Sequence, residues 1–140
     1  MTLADGRMGD GQTPRMELAA PVFSVANAVS ARDYYVTCLG YEVHFEWSDP
    51  GAEAPRHVIL RNGRTELHLT EGTPHRPSVA YVFVNGVEGL YEKIRQTDAN
   101  ITEPLTDFPW QMREFEVSDA DGNRLVFGEH LSRIEDAATA

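Results

Sequence analysis

Apolar positions along this chain form alternating and helical runs that recur at a fixed offset. Val25 and Val84, Gly40 and Ala99, and Gly63 and Gly122 are each 59 residues apart. Around these landmarks Ser24-Val25-Ala26-Asn27-Ala28-Val29 is echoed by Phe83-Val84-Asn85-Gly86-Val87, and Asn62-Gly63-Arg64 by Asp121-Gly122-Asn123. Such a repeat within 140 residues reads as two structural copies in series filling one domain.

In the first copy, Leu18 to Val25 reads as a strand whose Pro21 cannot donate to a ladder, which places it on an edge or on a strand that leaves its own sheet. Ala31, Tyr34, Tyr35, Cys38 and Leu39 share a helical face, with Ser30 as the expected N-cap and Gly40 just past the end. Tyr41 to Trp47 alternates, Ser48 to Pro55 is a loop, and His57–Leu60 and Thr65–Leu69 flank an Asn-Gly hairpin signal at Asn62-Gly63. The order is β-α-β-β-β.

The second copy repeats it. Ser78 to Val84 is a strand, and Val87 to Thr97 a helix with Val87, Leu90, Tyr91 and Ile94 on its buried stripe. Ile101 opens the next strand, Asp107 to Gln111 is a loop, and Met112–Val117 and Asn123–Phe127 are strands joined through Asp121-Gly122. The expected organisation is a disordered tail over 1–16, one domain over 17–132 with modules at about 18–71 and 78–130, and a C-terminal tail over 133–140.

Composition narrows the function classes. Twelve Lys and Arg against 22 Asp and Glu give a formal charge of −10. That surface repels nucleic acid and anionic membranes and favours cationic partners, although acidity also serves solubility alone. No apolar run approaches the roughly 20 residues that span a bilayer, and the polar N-terminus lacks the form of a signal peptide, so the expectation is a cytoplasmic protein. The single cysteine, Cys38, excludes an internal disulfide and is expected to be buried and inert. There is no Gly-x-Ser-x-Gly, no Cys with a His partner and no phosphate-cradling Gly loop, so no catalytic residue is assigned.

Val25-Ala26-Asn27, the run Asp33 to Tyr41, and the block Trp110-Gln111-Met112-Arg113-Glu114-Phe115-Glu116-Val117-Ser118-Asp119-Ala120-Asp121-Gly122-Asn123 carry a family signature. The chain resembles the glyoxalase/bleomycin resistance/dioxygenase (vicinal oxygen chelate) superfamily over about Leu18 to His130. Pro21, the run Ala80 to Val84 and the Pro109-Trp110 block look most like its bleomycin resistance branch, with Gln111 standing where that branch usually has Gly. The resemblance implies an α+β fold of two tandem βαβββ modules forming a curved mixed sheet, assembled as a C2 homodimer with an N-terminal arm crossing at Pro21.

Enzymes of the superfamily hold a divalent metal through His, Glu or Gln at matched positions. Those positions fall here on Ala20, Val79 and Val126, with the fourth on Glu66 by motif or Leu67 by repeat offset. Apolar side chains offer no lone pair to a metal, so no metal, no cofactor and no enzymatic chemistry are expected. Glu66 with His68, and Glu129 with His130, are candidates for an unusual site, against the simpler reading of sheet-face polar groups. His44, His57 and His75 receive no role.

Without metal donors, the resemblance implies a mostly apolar groove whose aromatics select the ligand. Phe45 and Trp47 share one face of their strand, and Tyr81 and Phe83 share a face with Val79. Trp110 sits on a Pro-bracketed loop, and Glu66, His68 and Arg113 are candidate polar contacts. Flat rings suit planar heteroaromatics and carboxylates suit a cationic tail. The alternative for each aromatic is ordinary core or interface packing, which is preferred for Tyr34, Tyr35 and Tyr91. The expected ligand is a bleomycin-like drug, sequestered without being altered. The alternatives are a metal-dependent lyase, dioxygenase or thiol transferase with displaced ligands, and a binding protein for another small apolar metabolite.

Overall fold

The computed structural model describes residues 13–72 and 76–139. The first copy forms β1 (Val22–Val25), α1 (Ala28–Leu39), β2 (Glu42–Trp47), β3 (His57–Asn62) and β4 (Thr65–Glu71). The second forms β5 (Val79–Phe83), α2 (Val87–Ile94), β6 (Asn100–Phe108), β7 (Met112–Ser118) and β8 (Arg124–His130), followed by α3 (Leu131–Thr139). The strands make two four-stranded mixed sheets, β1-β4-β3-β2 and β5-β8-β7-β6. Within each, the first strand of the copy runs parallel to its last and the other pairs are antiparallel. The fold is α+β, two βαβββ units in tandem. Among the described residues no helix is long and apolar enough to cross a membrane.

Strand alternation sorts the side chains onto two faces. Phe23, Val25, Val58, Leu60, Leu67 and Leu69 are buried with Ala28, Ala31, Tyr35 and Leu39 of α1. Phe115, Val117, Leu125 and Phe127 are buried with Val87 and Ile94 of α2, and both sets belong to one core. The opposite parity leaves an open face on each sheet.

Several boundaries differ from the expectation, each for a local reason. The cap of α1 is Asn27, not Ser30: Asn27 is extended (φ −142°) and its Oδ1 accepts from the Ser30 N–H at 2.9 Å. Gly40 ends the helix in the left-handed region at φ 80°. The tight loop between β3 and β4 is Gly63-Arg64, because Asn62 still pairs with Thr65. Helix α2 stops at Ile94, where Thr97 N–H and Oγ1 both bond the Ile94 carbonyl and tighten the last turn. Strand β6 runs on through Phe108, paired with Met112, and Asp107 reaches Arg113 at 2.6 Å. The stretch read as a tail from residue 133 is helical, since Ile134 of α3 packs on the core. Cys38 is half-buried, on the flank of α1. Of the expected N-terminal tail, residues 1–12 lie outside the described residues, as does His75; residues 13–19 are exposed and without regular structure.

The edge strands β2 and β6 are both irregular. Pairing slips between Val43 and Phe45 on β2, and twice on β6 between Ile101 and Thr106, around Pro104.

The copies are joined by a polar seam built on the Asp119–Asn123 turn. Asp119 accepts from the Tyr35 hydroxyl at 2.7 Å, from the N–H groups of Asp121 and Asn123 at 2.9 Å each, and from Asn123 Nδ2 at 3.1 Å. Asn123, 1 % exposed, also donates to the Ser24 carbonyl and accepts from the Ser78 N–H. The Tyr34 hydroxyl donates to the Ser118 carbonyl, and the Asp121 carboxylate accepts from the Ala26 N–H. Each copy also ends in a glutamate that reaches its own helix: Glu71 bonds the Ala28 N–H at 2.8 Å, and Glu129 bonds those of Gly86 and Val87 at 3.1 and 2.9 Å.

Candidate functional site

The open face of the first sheet is set by the register. Phe45 pairs with Ile59, Trp47 with His57, Ile59 with His68 and Val22 with His68, so these side chains share one parity with Glu66. The His57 and His68 rings meet edge to face at 5.4 Å. His68 Nε2 lies 3.0 Å from one Glu66 oxygen, and Arg61 donates to the other at 3.1 Å. These two bonds, that of His68 foremost, hold the Glu66 carboxyl below its usual range. The Arg56 guanidinium sits 5.4 Å from the Trp47 ring centre while bonding Asp49 through two nitrogens.

His57 is driven the other way. Burial, then the neighbouring His68 and Arg56, lower its pKa below the ordinary 6.5. Because the unfolded chain then binds the proton more readily, His57 contributes stability above its unfolded pKa that is lost as the pH falls through the folded one. An NMR titration is expected to place the His57 midpoint below 6.5; a midpoint at or above it would mean the ring is open to water.

The second open face carries Val79, Tyr81 and Phe83 of β5, Val126, Gly128 and His130 of β8, Met112, Glu114 and Glu116 of β7, and Phe108 of β6. Here the aromatics form two groups joined through Glu114. Tyr81 and Phe83 lie 5.0 Å apart, Phe83 stacks on His130 at 5.8 Å, and Phe108 stacks on Trp110 at 4.6 Å. At the centre is Glu114, 8 % exposed, whose Oε2 accepts from the Tyr81 hydroxyl at 2.5 Å and from Trp110 Nε1 at 3.2 Å. Burial and the Glu114 carboxylate push the Tyr81 phenol far up. Tyr81 can reach Glu114 only because residue 128 is glycine: a Cβ there would stand 1.9 Å from the phenol oxygen.

Trp110 owes its position to a three-residue hairpin loop. Pro109 opens a turn closed by the Gln111 N–H on the Phe108 carbonyl at 3.0 Å, and Gln111 then takes φ 70°. It is the only non-glycine described residue in that region, so the loop keeps a glycine-type conformation with glutamine in it. The Gln111 carbonyl is tied down by the Leu131 N–H at the start of α3.

A cleft of about 280 Å³ at the junction of the two sheets links the faces. Glu66 lines it on one side, Tyr81 and Phe83 on the other, and Ala19 and Pro21 along the N-terminal segment. The candidates therefore fall into two groups: Phe45, Trp47, Glu66 and His68 on one sheet, and Tyr81, Phe83 and Trp110 on the other. Arg113 joins neither. It alternates onto the helix-side parity of Phe115 and Val117 and holds Asp107 by two bonds of 2.6 and 3.1 Å. Pro21 precedes an edge strand that stays in its own sheet, with its carbonyl accepting from the His68 N–H at 3.0 Å. Glu114, Gly128 and Phe108 carry no role in the sequence reading, and His130 enters it only beside Glu129 as a candidate for an unusual metal site. Parity with buried Phe115 would have placed Glu114 on the open face.

The residues present do not fit the superfamily's divalent metal. Val79 and Val126 lie on the open face and supply no donor, and neither does Ala20. The ambiguity at the fourth position resolves to Glu66, since Leu67 is buried in the core. Glu66 is already bonded to His68 and Arg61, and Glu129 is turned inward to α2. Among the described residues, no three His, Cys, Asp or Glu side chains are placed to hold an ion.

Known proteins share this architecture. TioX from Micromonospora sp. ML1 superposes with a TM-score of 0.72 at 22% identity, covering 83% of this chain and 100% of its own. A glyoxalase-related enzyme from Clostridium phytofermentans gives 0.71 at 18% identity, over 86% of this chain and 98% of its own. The bleomycin-binding protein of Streptomyces verticillus, complexed with copper(II)-bleomycin, gives 0.65 at 25% identity, over 82% of this chain and 97% of its own. No curated protein sequence matches significantly. A model of the Glyoxalase/Bleomycin resistance protein/Dioxygenase superfamily matches residues 18–127. With the family's paired βαβββ units spanning that match, the chain belongs to the glyoxalase/bleomycin resistance/dioxygenase superfamily.

Proposed function

We propose that the chain is a metal-free binding protein that sequesters a cationic, heteroaromatic glycopeptide antibiotic of the bleomycin type. The drug would lie in an acidic, aromatic-lined groove completed by a second copy in a C2 homodimer. The observation that carries this is the substitution of chemistry on the open faces: Val79 and Val126 stand where the family's enzymes have metal donors, beside exposed Tyr81 and Phe83. Large exposed apolar side chains on one surface mark a binding site; Trp110 extends that surface, and Phe45 and Trp47 are exposed on the open face of the first sheet. The net charge of −10 attracts a cationic drug, and the similarity to a bleomycin-binding protein supports the ligand class.

The test is a titration of metal-analysed protein with metal-free bleomycin, following Trp47 and Trp110 fluorescence at two salt concentrations. Saturable quenching at about one drug per chain, weaker at higher salt, is the expected result. No quenching would remove the drug from consideration. Stoichiometric Ni, Zn, Mn or Fe after chelator-free purification would favour a metal-dependent enzyme instead.

A further inference from the structure

Three carboxylates on the open faces sit in different company. Glu66 is bonded by Arg61 and His68, and Glu116 by Arg124 at 2.8 Å. Glu114 is more buried than either, yet among the described residues it pairs with no cation. Its two donors, Tyr81 and Trp110, are neutral and both bond Oε2, so Oε1 has no partner among the described residues. A buried carboxylate without a counter-charge is costly, and this one is held in position. The phenol is admitted by Gly128, and the indole by the Pro109–Gln111 turn.

We infer that Glu114 is the cation anchor of the second sheet: it takes a protonated amidine, guanidine or amine carried on a planar ring that rests against Tyr81, Phe83 and Trp110. This rests on the small-molecule binding role proposed above and narrows it to one half-site within a single chain. The aromatic faces favour a flat, positively charged group, and Oε1 offers it a charge-assisted hydrogen bond. Tyr81 and Trp110 are positioning residues for the carboxylate as well as walls for the ring.

Benzamidine and benzamide test this, being close in shape and different in charge. Their binding is followed through the Trp110 indole N–H resonance in a 15N spectrum. The full chain is expected to bind benzamidine at least about tenfold more tightly than benzamide, about 1.4 kcal/mol. Glu114→Gln, which keeps an acceptor oxygen for Tyr81 and Trp110, should bring the ratio to about one, and Glu92→Gln, at an exposed position on α2, should leave it unchanged. A ratio near one in the unaltered chain, a preference that survives Glu114→Gln, or no response to either compound overturns the assignment. The first and third of these are decided without any variant. Benzamidine preference lost with Glu114, in a chain that ignores bleomycin, would leave the anchor standing and remove the drug; bleomycin bound equally by native protein and Glu114→Gln would do the reverse.

Discussion

Asp119→Ala is expected to lower the unfolding free energy by about 3–5 kcal/mol in a urea titration, the largest loss of any single polar substitution proposed for this chain. The Asp119 carboxylate gathers four donors, among them the hydroxyl of Tyr35, which is 1 % exposed, and the backbone of the turn that holds Asn123. Truncation leaves the Tyr35 hydroxyl, the Asn123 N–H and one Asn123 Nδ2 hydrogen buried without an acceptor. Tyr35 belongs to α1 in the first copy and Asp119 follows β7 in the second, so the same deletion loosens the seam between copies. A loss below about 1 kcal/mol would mean that water replaces the carboxylate freely and that apolar packing alone joins the halves.

The two strand-end glutamates provide the second comparison. Glu129→Ala should cost about 2–3 kcal/mol, and Glu71→Ala about 1 kcal/mol. Both carboxylates sit at a helix N-terminus, where orphan N–H groups and the helix dipole favour negative charge. The first helix has a second cap, since Asn27 accepts from Ser30. The second has Gly86 at that place, with no side chain to help, so 6 % exposed Glu129 satisfies Gly86 and Val87 by itself. Equal losses in parallel melts of the two variants would show that Asn27 adds nothing to α1.

The repeat explains why so much of the fold was legible. An offset of 59 aligns Gly63 with Gly122, both with left-handed φ, so the turns could be placed before the strands were known. Alternation then predicted the shared faces of Phe45 with Trp47 and of Tyr81 with Phe83. What escaped was whatever depends on contacts distant in sequence. The cap on α2 comes from Glu129, 42 residues beyond Val87. The Tyr81–Glu114 bond spans 33 residues and requires a glycine at 128 on yet another strand. Arg113 illustrates a local reason: it is polar, but its parity is that of Phe115 and Val117, away from the open face, and its ion pair with Asp107 holds its charge at the margin of the core. Asn27 was passed over as a cap because Ser30 also fits the preference, and the backbone at Asn27 decides between them.

The slipped pairing of β2 and β6 bears on how such chains meet. A strand whose backbone is broken by bulges, and in β6 by a proline, cannot offer a neighbour an uninterrupted row of amide donors and acceptors. Lateral growth at these two edges, by capture of a foreign strand or by stacking of identical chains into fibrils, is thereby discouraged. Contacts made at β2 and β6 are thus left to side chains and not to backbone, and are governed there by shape and charge.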